Sequence, residues 1–523
     1  MKRTASILIS IVCVLIIVFW LILKPILGNT STPPNIVFFL VDDLGWRDVG
    51  CYGSSFYETP HIDRLATEGV RFNQAYVACP VCSPTRASIL TGKYPARLQL
   101  TDWLPGRRDF PFQKLKNVGI SQSLPFEEET LAEALKAQGY STAIFGKWHL
   151  GENPSGPTNH GFDVQVPRWN KGWPNLGYHA PFGMDGLEGV KGDYLTDCLT
   201  DEALSFIEQN RDQPFFLYLS HFAVHDPIHG RADLVDKYRQ KLSNTPHPKG
   251  PDFILEGNPD AAEPLSRDQL TALIAQPSHQ GHRVLPQRTI KIKQHQDNIE
   301  FAAMVETMDE SLGRVMDKLK SLGISDNTIV IFYSDNGGMS AANFYSPDRI
   351  VDESEVDEAY STSNLPLRGA KGWLYEGGIR VPMIVKWPGM GKKGIACEEP
   401  ITSTDFFPSI LEMAGLPAQP DQHMDGMSFV PALKGDEFKR EAIYWHFPHY
   451  SNHGMQSPGG AIRLGDYKLL EYFENNTAQL FNLKEDPGEQ HNLANAQPEK
   501  ARELLTMLRE WREDVSAAMM SPK

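Results

Sequence analysis

Residues 79–97 read CPVCSPTRASILTGKYPAR and place two of the chain's six cysteines three positions apart, the second followed at once by serine, proline, threonine and arginine. Cys79 and Cys82 admit three chemistries: a redox dithiol, half of a metal site, or, at Cys82, a nucleophile in a small, hydroxylated setting. Hard-oxygen groups recur at the ends of two apolar runs. Asp42-Asp43 closes NIVFFLVDD, and Asp335-Asn336, followed by Gly337-Gly338, closes TIVIFYSDNGG. Carboxylates with an amide carbonyl suit Ca2+ or Mg2+, which take oxygen ligands, although one such pair alone also serves as a helix cap or a turn. Lys147 and His149 stand in GKWHLG, just past the apolar STAIF. His221, His225 and His229 fall four apart, but Pro227 interrupts the helix that would align them on zinc, and no HExxH is present. His225, in VHDP, remains a site candidate; His221 reads as a structural histidine and His229 as a loop residue. Gly92-Lys93 lacks the upstream glycine of a phosphate-binding loop, and no G-x-S-x-G elbow occurs.

Such groups need a scaffold that gathers distant strand ends. NIVFFLVDD (35–43) is short and almost continuously apolar, like a strand buried on both faces. TLAEALKAQGY (130–140) reads as a helix ending at Gly139, STAIFGKWHLG as the next strand and loop, and FFLYLSHFAVHDP (215–227) as a strand broken at Pro227. Val305, Met308, Leu312, Val315 and Leu319 recur at helical spacing up to Gly323 and lead into the strand TIVIFYSDNGG (328–338); VPMIVKWPG (381–389) is one more. The expected fold class is α/β, a large mixed, mainly parallel sheet sandwiched by helices, whose ligands bind beyond the carboxyl ends of the strands. From about residue 436 the pattern changes. EAIYWHFPHY, GAIRLGDYKLLEYF and AQLFNLKED read as short strands, and PEKARELLTMLREWREDV as the helix covering a small antiparallel sheet. Residues 243–295, polar and proline-rich, read as a long surface excursion. The expected division is a leader or anchor over 1–28, a main domain over 34–435 and a C-terminal subdomain over 436–523.

A chain of 523 residues with a formal charge of −15 and 41% apolar residues is long enough for one large core and a smaller unit. Its acidity argues against nucleic acid as a partner, and any anion site must rest on clustered Lys, Arg and His. The N-terminus, MKRTASILISIVCVLIIVFWLILKPILG, carries two basic residues and then an uncharged run from Thr4 to Leu23. That run approaches the roughly 20 residues that span a bilayer and exceeds the roughly 7–15 of a secretory signal. Lys2 and Arg3 favour an inside N-terminus. The body of the chain is therefore expected outside, in a periplasmic or extracellular setting, either released or anchored to the membrane. Cysteines in such a setting tend to pair; setting Cys13 aside leaves five, so at least one has another fate.

Cys82-Ser83-Pro84-Thr85-Arg86, continuing to Thr91-Gly92-Lys93, resembles the C-x-P-[ST]-R…TGK signature of the type I sulfatases in the alkaline phosphatase superfamily. VDDLGW, GKWHLG, VHDP, SDNGG and GAKGWLYEGGIRVP occur in that family's order, and LFNLKEDPGEQHNLA is similar to its C-terminal subdomain. The resemblance implies an alkaline-phosphatase-like fold and hydrolysis of sulfate esters. It implies that a formylglycine-generating or equivalent maturation enzyme oxidises Cys82 to formylglycine. A thiolate attacking sulfur would leave a stable S-linked product. A hydrated aldehyde instead offers two hydroxyls: one displaces the alcohol to leave a sulfo-enzyme, and the other expels sulfate as the carbonyl re-forms. By the same resemblance Asp42, Asp43, Asp335, Asn336 and the modified Cys82 hold Ca2+ or Mg2+, which lowers the pKa of the diol. Arg86, Lys147 and Lys371 are the cations about the diol and sulfate. His149 takes the diol proton and His225 holds sulfate or protonates the leaving alcohol, with the general acid open among His225, Lys371 and Asp335.

Three other readings remain beside this one. A redox dithiol at Cys79-Cys82 leaves the companion motifs unexplained. A phosphodiesterase or phosphonate hydrolase of the same superfamily would use the same cradle of metal and cations, and an unmodified Cys82 would leave a non-catalytic polysaccharide-binding relative. The expected substrate is a sulfated carbohydrate or an aryl sulfate, with exo-action on a galactose or N-acetylgalactosamine sulfate. TDWLPGRRDF (101–110) and YWHFPHYSNHG (444–454) offer aromatic, His and Arg groups either to a sugar or to the seam between subdomains.

Overall fold

The computed structural model describes residues 33–523 apart from 262, 280 and 347; the Thr4–Leu23 run lies outside them. The centre is a nine-stranded sheet. Its strands, in chain order, are β1 (Asn35–Val41), β2 (Val70–Tyr76), β3 (Ser141–Gly146), β4 (Val164–Val166), β5 (Phe215–Ser220), β6 (Thr328–Ser334), β7 (Arg380–Lys386) and β8 (Ile395–Cys397), with Ile401–Thr402 added beside β2. They lie in the order β8-β2-β7-β6-β1-β5-β3-β4. β6, β1, β5, β3 and β4 are mutually parallel, whereas β7 runs antiparallel to both β6 and β2.

The near-continuous apolar run of β1 serves two cores at once. Ile36, Phe38 and Leu40 enter one buried cluster, and Val37, Phe39 and Val41 enter the other. Period-two alternation sends successive side chains to opposite faces, so each face must be covered. On the second face lies α3 (Ile299–Ser321), whose Val305, Met308, Leu312, Val315 and Leu319 are buried, beside α2 (Leu195–Gln209). The first face is covered by α1 (Cys82–Thr91), every residue of which is buried, and by the helix Phe406–Met413.

Three expectations need correction. The strand read over 215–227 stops at Ser220, because the next residues bend to bond to the end of β1. His221 N donates to Leu40 O at 3.0 Å and Val224 N to Asp42 O at 2.7 Å. The excursion over 243–295 has structure of its own: Phe253–Glu256 pairs with Ile290–Lys293, and the helix Arg267–Ile274 packs Leu270 against Leu255 and Leu285. Nor do the cysteines pair. Cys51, Cys79, Cys82, Cys198 and Cys397 are all free thiols; Cys79 and Cys397 are packed in one core, whereas Cys51 and Cys198 lie against the other across the sheet.

The tail forms a four-stranded antiparallel sheet, β9 (Ile443–Phe447), β10 (Gly459–Leu464), β11 (Tyr467–Tyr472) and β12 (Thr477–Asn482), covered by α4 (Pro498–Asp514). Ile462, Leu469 and Leu480 of the sheet meet Leu504 and Leu508 of the helix. Trp445 Nε1 donates to Val77 O at 2.7 Å across the seam. Lys468, fully buried, lies 3.0 Å from Glu376 and 2.9 Å from Glu489. Removing one charge from such a group leaves the others uncompensated, so Lys468→Met is expected to cost about 3–5 kcal/mol in a urea titration followed by tryptophan fluorescence. A stability equal to the parent's would show that this network does not hold the two sheets together.

Candidate active site

Four adjacent parallel strands end on one edge of the sheet, and each delivers a polar group there. β1 delivers Asp42 and Asp43, β6 delivers Asp335 and Asn336, β3 leads to Lys147 and His149, and β5 leads to His225. Because β7 is antiparallel, its beginning lies at the same edge, so the loop before it supplies Lys371. β2 ends there too, opposite the start of β7, and its exit carries the chain into α1 with Cys82 as the first helical residue. Positions i and i+4 share a helix face, which aligns Arg86 with Cys82. Pro84 is tolerated because the first turn has no intrahelical acceptor for its missing N–H.

Backbone geometry fixes these side chains tightly. Asp43 and His149 have left-handed φ values of 61° and 56°, a conformation that costs on the order of 1–3 kcal/mol and persists only where surrounding structure imposes it. Gly146, at φ 107°, is required at the end of β3: a Cβ there would lie 2.0 Å from Ser220 O. Its absence lets Lys147 N donate to that same carbonyl at 2.7 Å.

The charges are matched pairwise. Arg86, 1% exposed, donates from Nε to Asp335 Oδ2 at 2.8 Å and from Nη1 to Lys147 O at 3.0 Å. Lys147 Nζ donates to Asp42 Oδ2 at 2.5 Å, and Lys371 Nζ lies 2.7 Å from Asp43 Oδ1. Asn336 Nδ2 donates to Asp43 Oδ1 at 2.7 Å. Burial, and then the neighbouring Asp335, push the Asp42 carboxyl up to about 8 against the pull of Lys147. Burial acts the same way on Asp43, but Lys371, His225 and Lys147 overcome it and hold that carboxylate well below its usual range.

The two histidines are set in opposite states. His149 Nε2 donates to Leu104 O at 2.7 Å, which leaves Nδ1, 3.3 Å from Cys82 Sγ, as the acceptor. Burial and then Lys147 push this ring well below the usual histidine pKa, so it is neutral. His225 Nδ1 lies 2.5 Å from Asp226 Oδ1, and Nε2 is 3.8 Å from Asp43 Oδ2. Burial and Lys371 disfavour its charge, but Asp226, Asp43 and Asp42 prevail and raise it to about 9. It carries a proton at neutral pH.

All ten residues singled out in the sequence therefore converge on one edge of the sheet, and Cys82, His149, His225 and Lys371 line a cavity of about 440 Å3. His221 bonds to Ser311 at 2.9 Å away from it, and His229 is an exposed loop residue. The aromatic stretches divide: Trp445, Phe447, His449 and Tyr450 are buried at the seam, while Trp103, Asn452 and His453 line the cavity. Sequence reasoning passed over Asp226, although it follows His225 directly, and Asn343, Glu358 and Trp173, which no motif signals.

Asp42, Asp43 and His225 offer ligand atoms within 4.8 Å of one another. Asp42 Oδ1 and Asn336 Oδ1 are buried acceptors with no hydrogen-bond donor among the described residues. Buried oxygens are rarely left unpaired, and two such acceptors among clustered carboxylates fit a hard divalent cation.

Known proteins resemble this chain along most of its length. A family model described as "Sulfatase" matches residues 34–416, and one described as "N-sulphoglucosamine sulphohydrolase, C-terminal" matches residues 370–516. A protein of Formosa agariphila named "Sulfatase" is 30% identical, covering 95% of this chain and 93% of its own. The N-acetylgalactosamine-6-sulfatase of Mus musculus is 31% identical over 84% of this chain and 72% of its own. The crystal structure of Ps i-CgsB in complex with k-i-k-neocarrahexaose superposes with a TM-score of 0.68 at 27% identity, covering 92% of this chain and 93% of its own.

Calorimetric titration of the chelator-treated full chain with Ca2+ is expected to give one binding event. In Asp42→Ala it weakens by more than the roughly 10–100-fold that loss of an outer-shell partner costs. Equal affinity in the two proteins would remove Asp42 from the cation site.

Proposed function

The chain belongs to the sulfatase family, whose members are sulfuric ester hydrolases, and from that premise we propose that it removes sulfate from a sulfated carbohydrate by exo-action on a galactose or N-acetylgalactosamine sulfate. One observation carries the reading. Cys82 heads a buried helix, 3.3 Å from a histidine nitrogen placed to accept a proton, and Arg86, Lys147 and Lys371 crowd the surrounding carboxylates.

In this reading Cys82 is oxidised to formylglycine, and Sγ marks where the oxygens of the hydrated aldehyde stand, one to attack sulfur and one to release sulfate. Asp42, Asp43, Asp335 and Asn336, with residue 82, would hold Ca2+ or Mg2+, which when bound lowers the pKa of the attacking hydroxyl and offsets charge on a sulfate oxygen. Arg86, one turn along the nucleophile's own helix, orients Asp335. Lys147 and Lys371 stabilise negative charge as it grows on the sulfuryl oxygens and the leaving oxygen; being desolvated and fixed, they act without reorganisation. His149 Nδ1 accepts the proton from the hydroxyl of residue 82 while Nε2–H stays on Leu104 O.

His225 is the general acid. Asp335 is an unsuitable donor, since Oδ2 is taken by Arg86 and Oδ1 accepts from Asp43 N at 3.3 Å. Lys371 keeps its proton, since Nζ lies within hydrogen-bonding distance of both oxygens of Asp43. His225 keeps Nε2 for the substrate, and Asp226 keeps the ring charged. The carbohydrate assignment is supported by the named activity of the mouse relative and by the oligosaccharide in the Ps i-CgsB complex. The apolar run at Thr4–Leu23 supports an exported or anchored enzyme working on material outside the cell.

The test is sulfate release from defined sulfated mono- and disaccharides by protein co-expressed with a formylglycine-generating enzyme. Intact mass should fall by about 18 Da at residue 82, oxygen replacing sulfur with loss of two hydrogens. Turnover should vanish in Arg86→Ala and Lys147→Ala with the fold intact. An unmodified thiol in turning-over protein, or hydrolysis of phosphodiesters in preference to every sulfate ester, would refute the reading. The acid is tested separately. Asp226→Asn should lower kcat on a sugar sulfate by roughly 100-fold, the lower end of general-acid effects. The effect on 4-nitrophenyl sulfate should be much smaller, because that leaving group departs without a proton. Equal losses on both would assign the proton to another residue.

A further inference from the structure

Three polar atoms lie beside this site without a task in the chemistry above. Trp103 Nε1, Asn452 Oδ1 and His453 Nδ1 are buried and have no hydrogen-bond partner among the described residues. All three residues line the same cavity as Cys82, His149 and Lys371. Buried polar atoms are nearly always satisfied in folded proteins, so three orphans on residues that line one cavity point to a partner that the described residues do not supply.

Their positions are built, not incidental. The 451–454 loop, which joins β9 to β10 of the C-terminal sheet, is clipped to the main domain: Phe344 N donates to Asn452 O at 2.6 Å and Gly454 N to Ala342 O at 3.0 Å. Asn452 Nδ2 donates to Asn343 Oδ1 at 2.7 Å, which fixes the amide and leaves Oδ1 as a pure acceptor. His453 O accepts from Trp373 Nε1 at 2.8 Å. Gly372, at φ 79°, packs against this loop; a Cβ there would lie 2.2 Å from Ser451 Oγ and 3.0 Å from His453 Cβ. The loop therefore packs directly against the residue that follows Lys371.

Trp103 is held from the nucleophile's side. The next residue, Leu104, donates from N to Ser83 Oγ at 3.1 Å and accepts from His149. Arg107 then ties this segment to the other: it pairs with Asp102, 2.6 Å from Nε to Oδ2, and donates from Nη1 to Tyr450 O at 2.7 Å. Both segments are therefore rigid with respect to residue 82, as a recognition site requires.

Resting on the sulfate-ester reading, we infer that Trp103, Asn452 and His453 form the pocket for the alcohol half of the substrate, and that this alcohol is a pyranose bearing a hydroxyl or acetamido group close to the ester. The donor and acceptor set decides it. Trp103 only donates, Asn452 Oδ1 only accepts, and a neutral His453 has one nitrogen of each kind. A ring hydroxyl donates and accepts at once, and an acetamido group presents C=O to the indole and N–H to the asparagine. A sterol or a plain aryl ring would leave all three atoms unpaired. Trp173 and Tyr345, 37% and 69% exposed at the same cavity, supply flat faces for the C–H side of a sugar.

The experiment uses matured full-length protein and 4-nitrophenyl sulfate as reporter, with unsulfated galactose and N-acetylgalactosamine as competing probes. Trp103→Phe keeps an aromatic ring and removes the N–H together with the rest of the five-membered ring; Asn452→Ala removes the acceptor. The inference expects the Ki of at least one sugar to rise about tenfold in each variant, the factor an ordinary hydrogen bond supplies, and by more than any change in KM for the reporter. Which sugar inhibits distinguishes hydroxyl from acetamido recognition. Thermal melts within a few degrees of the parent exclude misfolding as the cause, and Trp103→Phe stands if Asn452→Ala does not fold. A Ki that is unchanged, or no inhibition of the parent by either sugar, overturns the pocket assignment. The carbohydrate reading fails on a different signal, absence of sulfate release from every sulfated sugar while the aryl ester is still cleaved.

Discussion

Three carboxylates, Asp42, Asp43 and Asp335, are forced into one buried volume by the parallel alignment of β1 and β6, and much of the site is arranged to make that tolerable. Like charges in a medium of low polarity repel strongly. The chain answers with a cation for each: Lys147 for Asp42, Lys371 for Asp43 and Arg86 for Asp335. What the pairing leaves over is informative. Among the described residues Asp42 Oδ1 and Asn336 Oδ1 still lack donors, and a divalent ion in their midst would turn a balanced cluster into one with a surplus of positive charge. Such a surplus, inside a protein whose formal charge is −15, is what an anionic ester needs.

The same constraint sorts the acid and base roles. Two histidines line one cavity with Cys82, and their environments drive them apart. His149 is buried beside Lys147, bonded through one nitrogen to a carbonyl, and neutral. His225 has carboxylates on both sides and stays charged. Groups separated in this way are suited to opposite halves of a proton transfer. The separation comes from neighbours on four different segments, not from the residue type.

The C-terminal sheet is more than a cap. Its buried Lys468 and Trp445 join it to the main domain, and the loop leaving β9 carries Asn452 and His453 into the cavity. The charged groups at the strand ends and much of the polar wall beside them therefore come from different parts of the chain, held together by Arg107 and by the close packing at Gly372. Fold-level likeness to enzymes of several substrates is expected from such a division of labour.

Much of this was legible in the residues themselves. Near-continuous apolar runs ending in Asp-Asp and Asp-Asn announced strands that finish at a site, and Cys82-Ser83-Pro84-Thr85-Arg86 announced a family resemblance. A run of apolar side chains needs two covered faces whatever the rest of the chain does, and so a mainly parallel sheet could be read from composition and order alone. The limits are equally physical. Where FFLYLSHFAVHDP leaves its strand depends on which carbonyls of β1 are free, and whether cysteines pair depends on which face of the sheet each one reaches. Asp226 and the orphaned atoms of Trp103, Asn452 and His453 carry no motif. Their meaning lies in what is, or is not, within hydrogen-bonding distance, and only the folded chain brings residues 103, 226, 343 and 453 into one cavity.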